Sequence, residues 1–364
     1  MTSNGHTRFA HIDAMRALAI MLVVVAHAGL TVVPGGSGVT IFFSISGFII
    51  AYLLLRERDR TGRFRIKGFY LRRALKIGPP LLVCVILPTI FLGIVRSIDW
   101  APLFGIVFFY YNWFKAEHGA DAPFPGSGVV WSLSIEEQFY LAFAAIWLVA
   151  VRSRVRMRWL AIAAVVAATA SLTSRILFAS GSEAATDRIY YGSDTRLDGI
   201  ALGVATAIAF HSSELRPGRV RSIVGWFMRD SALVAAIMLY LISLIIRDQW
   251  FRETFRFTFQ SLSTCIVLIY GFGSGPSRLR KWFDAVVRIR LVQFVGLASY
   301  SIYLIHLTAI YYAYDLSNQF PAAVRISALT VLATGSGMLV YLSVERPVQR
   351  LRDRRTALLR SARP

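Results

Sequence analysis

The chain has 364 residues, of which 56% are hydrophobic and only 16% charged, and this excludes an ordinary soluble domain. Its 40 basic and 20 acidic residues give a net charge of +20. In a soluble protein that excess points to nucleic acid, but in this chain the cations gather in short loops between apolar runs. That is the positive-inside pattern, so the expected partner is a lipid bilayer and not nucleic acid.

Apolar runs fall near 12–33, 38–55, 79–95, 101–114, 131–151, 159–179, 196–211, 230–247, 257–273, 294–314 and 323–344. Many approach the roughly 20 residues that a helix needs to cross hydrocarbon. They are continuous rather than alternating, so the expected fold is an all-α polytopic bundle and not a β-barrel. The first run is too long for a cleavable signal peptide and lacks a small-residue cleavage site. No linker or repeat divides the chain, and one membrane domain over 1–364 is expected, with a core of about 8–347 and a basic tail at 348–364.

Loop charges orient the spans. The loop 56–76 (RERDRTGRFRIKGFYLRRALK) is the most basic and is expected in the cytoplasm, together with RSRVRMR at 152–158, Arg216 to Arg229, Arg278 to Arg290 and the tail. All of these share one side only if one of the first five runs does not cross. The short 101–114 run, APLFGIVFFYYNWF, is read as re-entrant or interfacial. About ten spanning helices follow, with both termini cytoplasmic in an inner membrane.

Within the first run, Arg16 and His27 flank an almost wholly apolar stretch. Eleven helical residues turn the chain by about 1100° and raise it about 16 Å, so the two side chains share one stripe, half a bilayer apart. Ionisable groups are costly in hydrocarbon, and such a pair marks a site. In the second run, GGSGVTIFFSISGFII, Ser44, Ser46 and Gly47 fit either close helix packing or a groove in which a ligand meets exposed backbone. Then FYLRRALKIGPP sets Arg72, Arg73 and Lys76 at the loop boundary, as a topological anchor or as a clamp for the phosphates of a nucleotide-bearing donor.

Trp131 opens the string WSLSIEEQFY, whose Glu136 and Glu137 point about 100° apart on a helix and so serve different roles. On the loop-charge topology this string lies at the depth of His27, and one carboxylate is expected to orient that imidazole. Further on, SDTRLDGIALG supplies Asp194, Arg196 and Asp198 at an outer helix mouth. GLASYSIYLIHL places Tyr303 and His306 on one face. With Trp131, these five are the candidate acceptor-binding residues. Glu345-Arg346-Pro347 reads as a structural ion pair. Cys84 and Cys265 sit in apolar runs without metal-ligand spacing, and no metal is expected.

Taken in order, Arg16-x10-His27, IFFSISGF, FYLRRALKIGPP, WSLSIEEQFY, RLDGIALG and SYSIYLIH resemble the motifs of the acyltransferase-3 family of integral-membrane acyltransferases, across roughly 8–347. The resemblance implies transfer of an acyl group, usually acetyl, from cytoplasmic acyl-coenzyme A to a hydroxyl of a sugar, a cell-envelope glycan or a glycosylated small molecule. Some members carry a hydrolase-like domain after the membrane bundle. None follows in this sequence, and the expectation is that the chain acts alone or with a separate partner. The expected mechanism has the phosphates of acetyl-CoA near Arg72 and Arg73, the pantetheine arm along the Arg16–His27 stripe, His27 as general base, and Arg16 binding the donor or stabilising charge. Direct transfer is preferred to an acyl-histidine intermediate. The competing class is an exporter of an acylated small molecule or polysaccharide precursor. The absent repeat and the one-sided basic clamp count against it.

Overall fold

The computed structural model describes residues 9–361 apart from 63, 65, 120, 121, 154 and 216, so the loop cations Arg63, Arg65, Arg154 and Arg216 lie outside the described residues. Among the described residues every regular element is a helix. In chain order these are α1 (Ala10–His27), α2 (Gly35–Thr61), α3 (Ile66–Leu81) and α4 (Leu87–Val95), then the short α5 (Ala101–Val107) and α6 (Tyr111–His118). The long α7 (Trp131–Arg152) and α8 (Met157–Phe178) come next, then α9 (Glu183–Tyr191), α10 (Ser193–Leu215), α11 (Arg219–Phe227) and α12 (Asp230–Ile245). The chain closes with α13 (Gln249–Glu253), α14 (Phe255–Tyr270), α15 (Arg278–Val287), α16 (Arg290–Ser317), α17 (Ala322–Val340) and α18 (Arg346–Ser361).

Two π-helical turns, Leu82–Ile86 and Tyr341–Glu345, join α3 to α4 and α17 to α18. A proline stands two residues beyond each, Pro88 and Pro347. Proline has no N–H to donate into the regular ladder, so the bonding pattern shifts in the turn before it and the helix continues.

Seven helices or helix runs are long and apolar enough to cross a membrane: α1, α2, α3–α4, Ser127–Arg152, α8, α16 and Ala322–Arg354. The pair α11 and α12, bent by 66°, makes an eighth if taken as one span. Two more helices pack inside the bundle. The first two turns of α10 carry Asp194, Arg196 and Asp198, and α14 has 16 residues. The helices long and apolar enough to cross thus number seven or eight among the described residues, beside the ten read from loop charges. At 7 and 8 residues, α5 and α6 are too short to cross, in agreement with the non-crossing segment expected at 101–114. The end that holds the α2–α3, α7–α8, α10–α11 and α14–α15 connections forms the basic face, and the opposite end the far face.

The centre is built on α1, α2, α10 and α16, whose contacts with one another are among the most extensive in the molecule. Small residues permit this. A Cβ on Gly47 would stand 2.0 Å from the Ile200 carbonyl oxygen, and one on Gly203 would stand 2.2 Å from that of Ser44. The Ser44 hydroxyl is spent on its own helix, donating to the Thr40 carbonyl at 3.2 Å. The SISG stretch is therefore a close helix contact at Gly47 and Ser44, and the ligand groove considered for them is not there. Likewise, α1 meets α16 where Gly296 abuts the Asp13 carbonyl.

Candidate active site

The far end of α1 carries His27, and α16 brings His306 beside it. His27 Nδ1 lies 3.1 Å from His306 Nε2, and His306 Nδ1 lies 2.7 Å from the Tyr303 carbonyl oxygen. A carbonyl only accepts, so His306 Nδ1 must carry the proton. A neutral imidazole then offers Nε2 as acceptor, and His27 Nδ1–H must donate to it. This leaves a lone pair on His27 Nε2. His306 is buried, whereas His27 is exposed. Just beneath, the Tyr303 hydroxyl donates to the Val129 carbonyl at 2.8 Å and pairs with Ser132 at 2.7 Å, which ties α16 to the start of α7. The result is an imidazole held by His306, with the Val23 carbonyl of its own helix also within its hydrogen-bonding reach.

About 16 Å toward the basic face along the same helix stands Arg16. Its Nε donates to Ser299 Oγ at 3.1 Å. Around it lies a layer of charges. Lys76 shares this layer with Arg16, Arg73, Glu345 and Asp13 and makes no hydrogen bond among the described residues. Arg73 forms a short ion pair with Glu137, and its guanidinium sits 3.4 Å from the centre of the Tyr140 ring. Glu136 accepts from Ser46 Oγ at 3.0 Å. Glu345 accepts from Ser301 at 2.6 Å and from Gln349 at 2.9 Å, in place of the ion pair with Arg346 read from sequence.

The two glutamates therefore belong to the Arg16 layer. They enter α7 one and a half turns below Trp131 and meet Ser46 and Arg73, so the expected orienting partner of His27 is replaced by His306. Of the proposed phosphate clamp, Arg72 is exposed and only loosely paired with Glu57 at 3.6 Å, while Arg73 and Lys76 point inward. The three cations thus divide into one at the surface and two within.

The far-face candidates also divide. Trp131 is buried among Phe43, Tyr190 and Tyr191, with ring centres 6.4, 5.1 and 5.1 Å away. Asp194 is held by Arg188 through two bonds of 2.7 Å. The Asp198 carboxylate is consumed by Arg175 Nη2 at 2.8 Å and Thr258 at 2.7 Å, and Arg175 also bonds the Thr254 and Thr195 carbonyls. Asp198 is thus the anion of a buried knot joining α8, α10 and α14, and it is not an acceptor contact. Arg196 lies apart from it, 3.1 Å from the Thr40 hydroxyl and 3.7 Å from the Phe257 ring centre, and its buried Nη1 has no partner among the described residues. No group of three or more His, Cys, Asp or Glu among the described residues is arranged to hold a metal.

The model of a known family, the acyltransferase domain, matches residues 9–342. The chain belongs to the acyltransferase-3 family. Its relatives include the O-acetyltransferases OatA of Staphylococcus aureus strains NCTC 8325 and COL, 27% identical over 359 residues, which cover 93% of this chain and 57% of each relative. A further protein of strain COL with a provisional O-acetyltransferase name is 27% identical over 357 residues, with the same coverage. The chain therefore spans just over half the length of these relatives. No solved structure gave a match.

Sequence reasoning missed Arg175 and Ser299. In an acyltransferase-3 bundle the signal for Arg175 was present: it is the one cation inside the otherwise apolar and small-residue stretch 159–179. Ser299 carries no signal of its own, since a serine on a membrane helix is ordinary.

Proposed function

We propose that this acyltransferase-3 protein moves an acyl group from acyl-CoA, bound at the basic face, to a hydroxyl of an acceptor at the far face. The single observation that carries this reading is the His27–His306–Tyr303 chain, which leaves one lone pair on an otherwise fixed imidazole. The acyl group is taken as acetyl because the relatives are named O-acetyltransferases. The basic face is assigned to the cytoplasm of a bacterial inner membrane by the positive-inside rule, with both termini on that side.

In this scheme Arg72 meets the donor's phosphates at the entrance, while Arg16 and Lys76 draw the donor inward. Guanidinium does not deprotonate, so Arg16 holds and polarises but does not relay protons. The pantetheine arm spans the distance of about 16 Å to His27. His27 Nε2 takes the acceptor's hydroxyl proton as that oxygen attacks the thioester carbonyl. The C–S bond then breaks, and the departing thiolate takes the proton from His27, which leaves an ester and free CoA. His306 accepts from Nδ1–H throughout, which favours the imidazolium that forms in between.

Arg16→Ala and His27→Ala proteins that insert and melt like the parent should both lose acetyl transfer from acetyl-CoA. Near-normal activity in His27→Ala removes the base assignment, and turnover that ignores acetyl-CoA removes the donor.

A further inference from the structure

The last turns of α16 play no part in the chemistry described above. With 28 residues, α16 is about 42 Å long, against about 30 Å of hydrocarbon, so about eight residues extend past the apolar layer. Counted from Arg290, these are residues 310–317. Tyr311, Tyr312 and Tyr314 are 59%, 57% and 42% exposed, and Asp315 is exposed beside them. Together with Gly126 and Ile310 they line a cavity of about 470 Å³. That volume lies within the range of about 300–1,000 Å³ that holds small ligands.

The cavity is built, not incidental. Gly126 has φ +81°, and a Cβ there would stand 2.3 Å from the Thr308 backbone nitrogen, so only glycine lets this loop lie directly on α16. Thr308 Oγ1 seals the contact by donating to the Pro125 carbonyl at 2.9 Å. The rings are braced as well. Tyr311 and Tyr312 meet edge to face at 5.3 Å, Phe124 backs Tyr312 at 6.3 Å, and the Arg325 guanidinium covers Tyr314 at 5.4 Å. The Asp315 carboxylate makes no hydrogen bond or ion pair among the described residues. Ile310, which forms one wall of the cavity, lies one turn beyond His306, about 40° around the helix and about 6 Å nearer the far face.

We propose that this groove holds one ring of a carbohydrate acceptor, neutral or amino-bearing rather than acidic, next to the ring that reacts at His27. Flat tyrosine faces match the C–H faces of a pyranose, and their hydroxyls remain wet. The Asp315 carboxylate accepts from sugar hydroxyls or pairs with an ammonium, and it repels a uronate. The proposal rests on the acyl-transfer reading above.

Saturation-transfer NMR on the full chain in detergent reads binding without activity, with maltotriose, chitotriose and trigalacturonate as probes. The expected result is saturation of at least one neutral or N-acetylated trisaccharide and none of trigalacturonate. Affinity should fall about tenfold in Tyr311→Ala/Tyr314→Ala and be kept in Tyr311→Phe/Tyr314→Phe. Tyr311→Ala alone serves if the double variant does not fold. Asp315→Asn should admit trigalacturonate. In transfer assays the alanine variant should raise the acceptor KM about tenfold. Equal signals in the alanine and phenylalanine variants, or no saturation of either maltotriose or chitotriose by folded protein, overturn the groove. A groove that binds sugar in a protein unable to move acetyl from acetyl-CoA overturns the transfer reading instead.

Discussion

Replacing His306 by phenylalanine keeps a planar ring in a fully buried site and removes the acceptor that stands 3.1 Å from His27 Nδ1. One net hydrogen bond within a protein is worth about 0.5–1.5 kcal/mol. At tenfold per 1.36 kcal/mol, kcat should fall about two- to twelvefold. Removing the base itself in His27→Ala should cost about 10²- to 10⁴-fold, so the two variants are separable by rate alone. His306→Gln places a carbonyl oxygen where Nε2 was and should recover most of the loss. The assay is release of CoA thiol from acetyl-CoA with an acceptor sugar present, reported as kcat and KM. An unchanged kcat in His306→Phe, or equal losses in the Phe and Gln variants, refutes the orienting role of His306.

Arg175→Met leaves Asp198 buried without its cation, and calorimetry should register a loss of about 3–5 kcal/mol, with Arg175→Met/Asp198→Leu recovering much of it. Gly47→Ala drives a methyl to within 2.0 Å of the Ile200 carbonyl oxygen and should lower the melting temperature sharply, whereas Gly225→Ala, with nothing within 4 Å, should not. Ser299→Ala frees Arg16 Nε and should raise the acetyl-CoA KM about fivefold at near-parental kcat, measured by steady-state kinetics. Arg72→Ala, which touches only an exposed and loosely paired cation, should raise the same KM without shifting the melt.

The bundle was legible from the chain because hydrocarbon imposes length and continuity on every crossing helix. That is why α1, α2 and α16 fall where the apolar runs lie, and why the seven residues of α5 read as non-crossing. Arg16 and His27 stood out because charge is expensive in that setting. Partners did not stand out. Helical periodicity reports which face a residue occupies but not which helix stands opposite, and His306 lies 279 residues from His27. Glu136 and Glu137 were assigned to His27 by depth counted from the helix start. Depth was overestimated toward the far face, since Ser46 and Arg73 meet them in the lower layer. Asp198 looked like an acceptor residue because its cation, Arg175, lies on another helix with no motif to announce it. The tyrosine groove was unreadable for the same reason, because the wall at Gly126 comes from a loop about 180 residues away from the helix end it covers.

Passage of an acyl group between faces, from the Arg16 layer to His27, is what sets this mechanism apart from transfer within one compartment. Proteoliposomes with a candidate acceptor oligosaccharide sealed inside and labelled acetyl-CoA added only outside test it directly. Molecules inserted with the basic face outward should acetylate the enclosed acceptor, while no label reaches the lumen in His27→Ala or in protein-free vesicles. Label on an acceptor that shares the donor's compartment, with none on the enclosed one, would rule out transfer between faces.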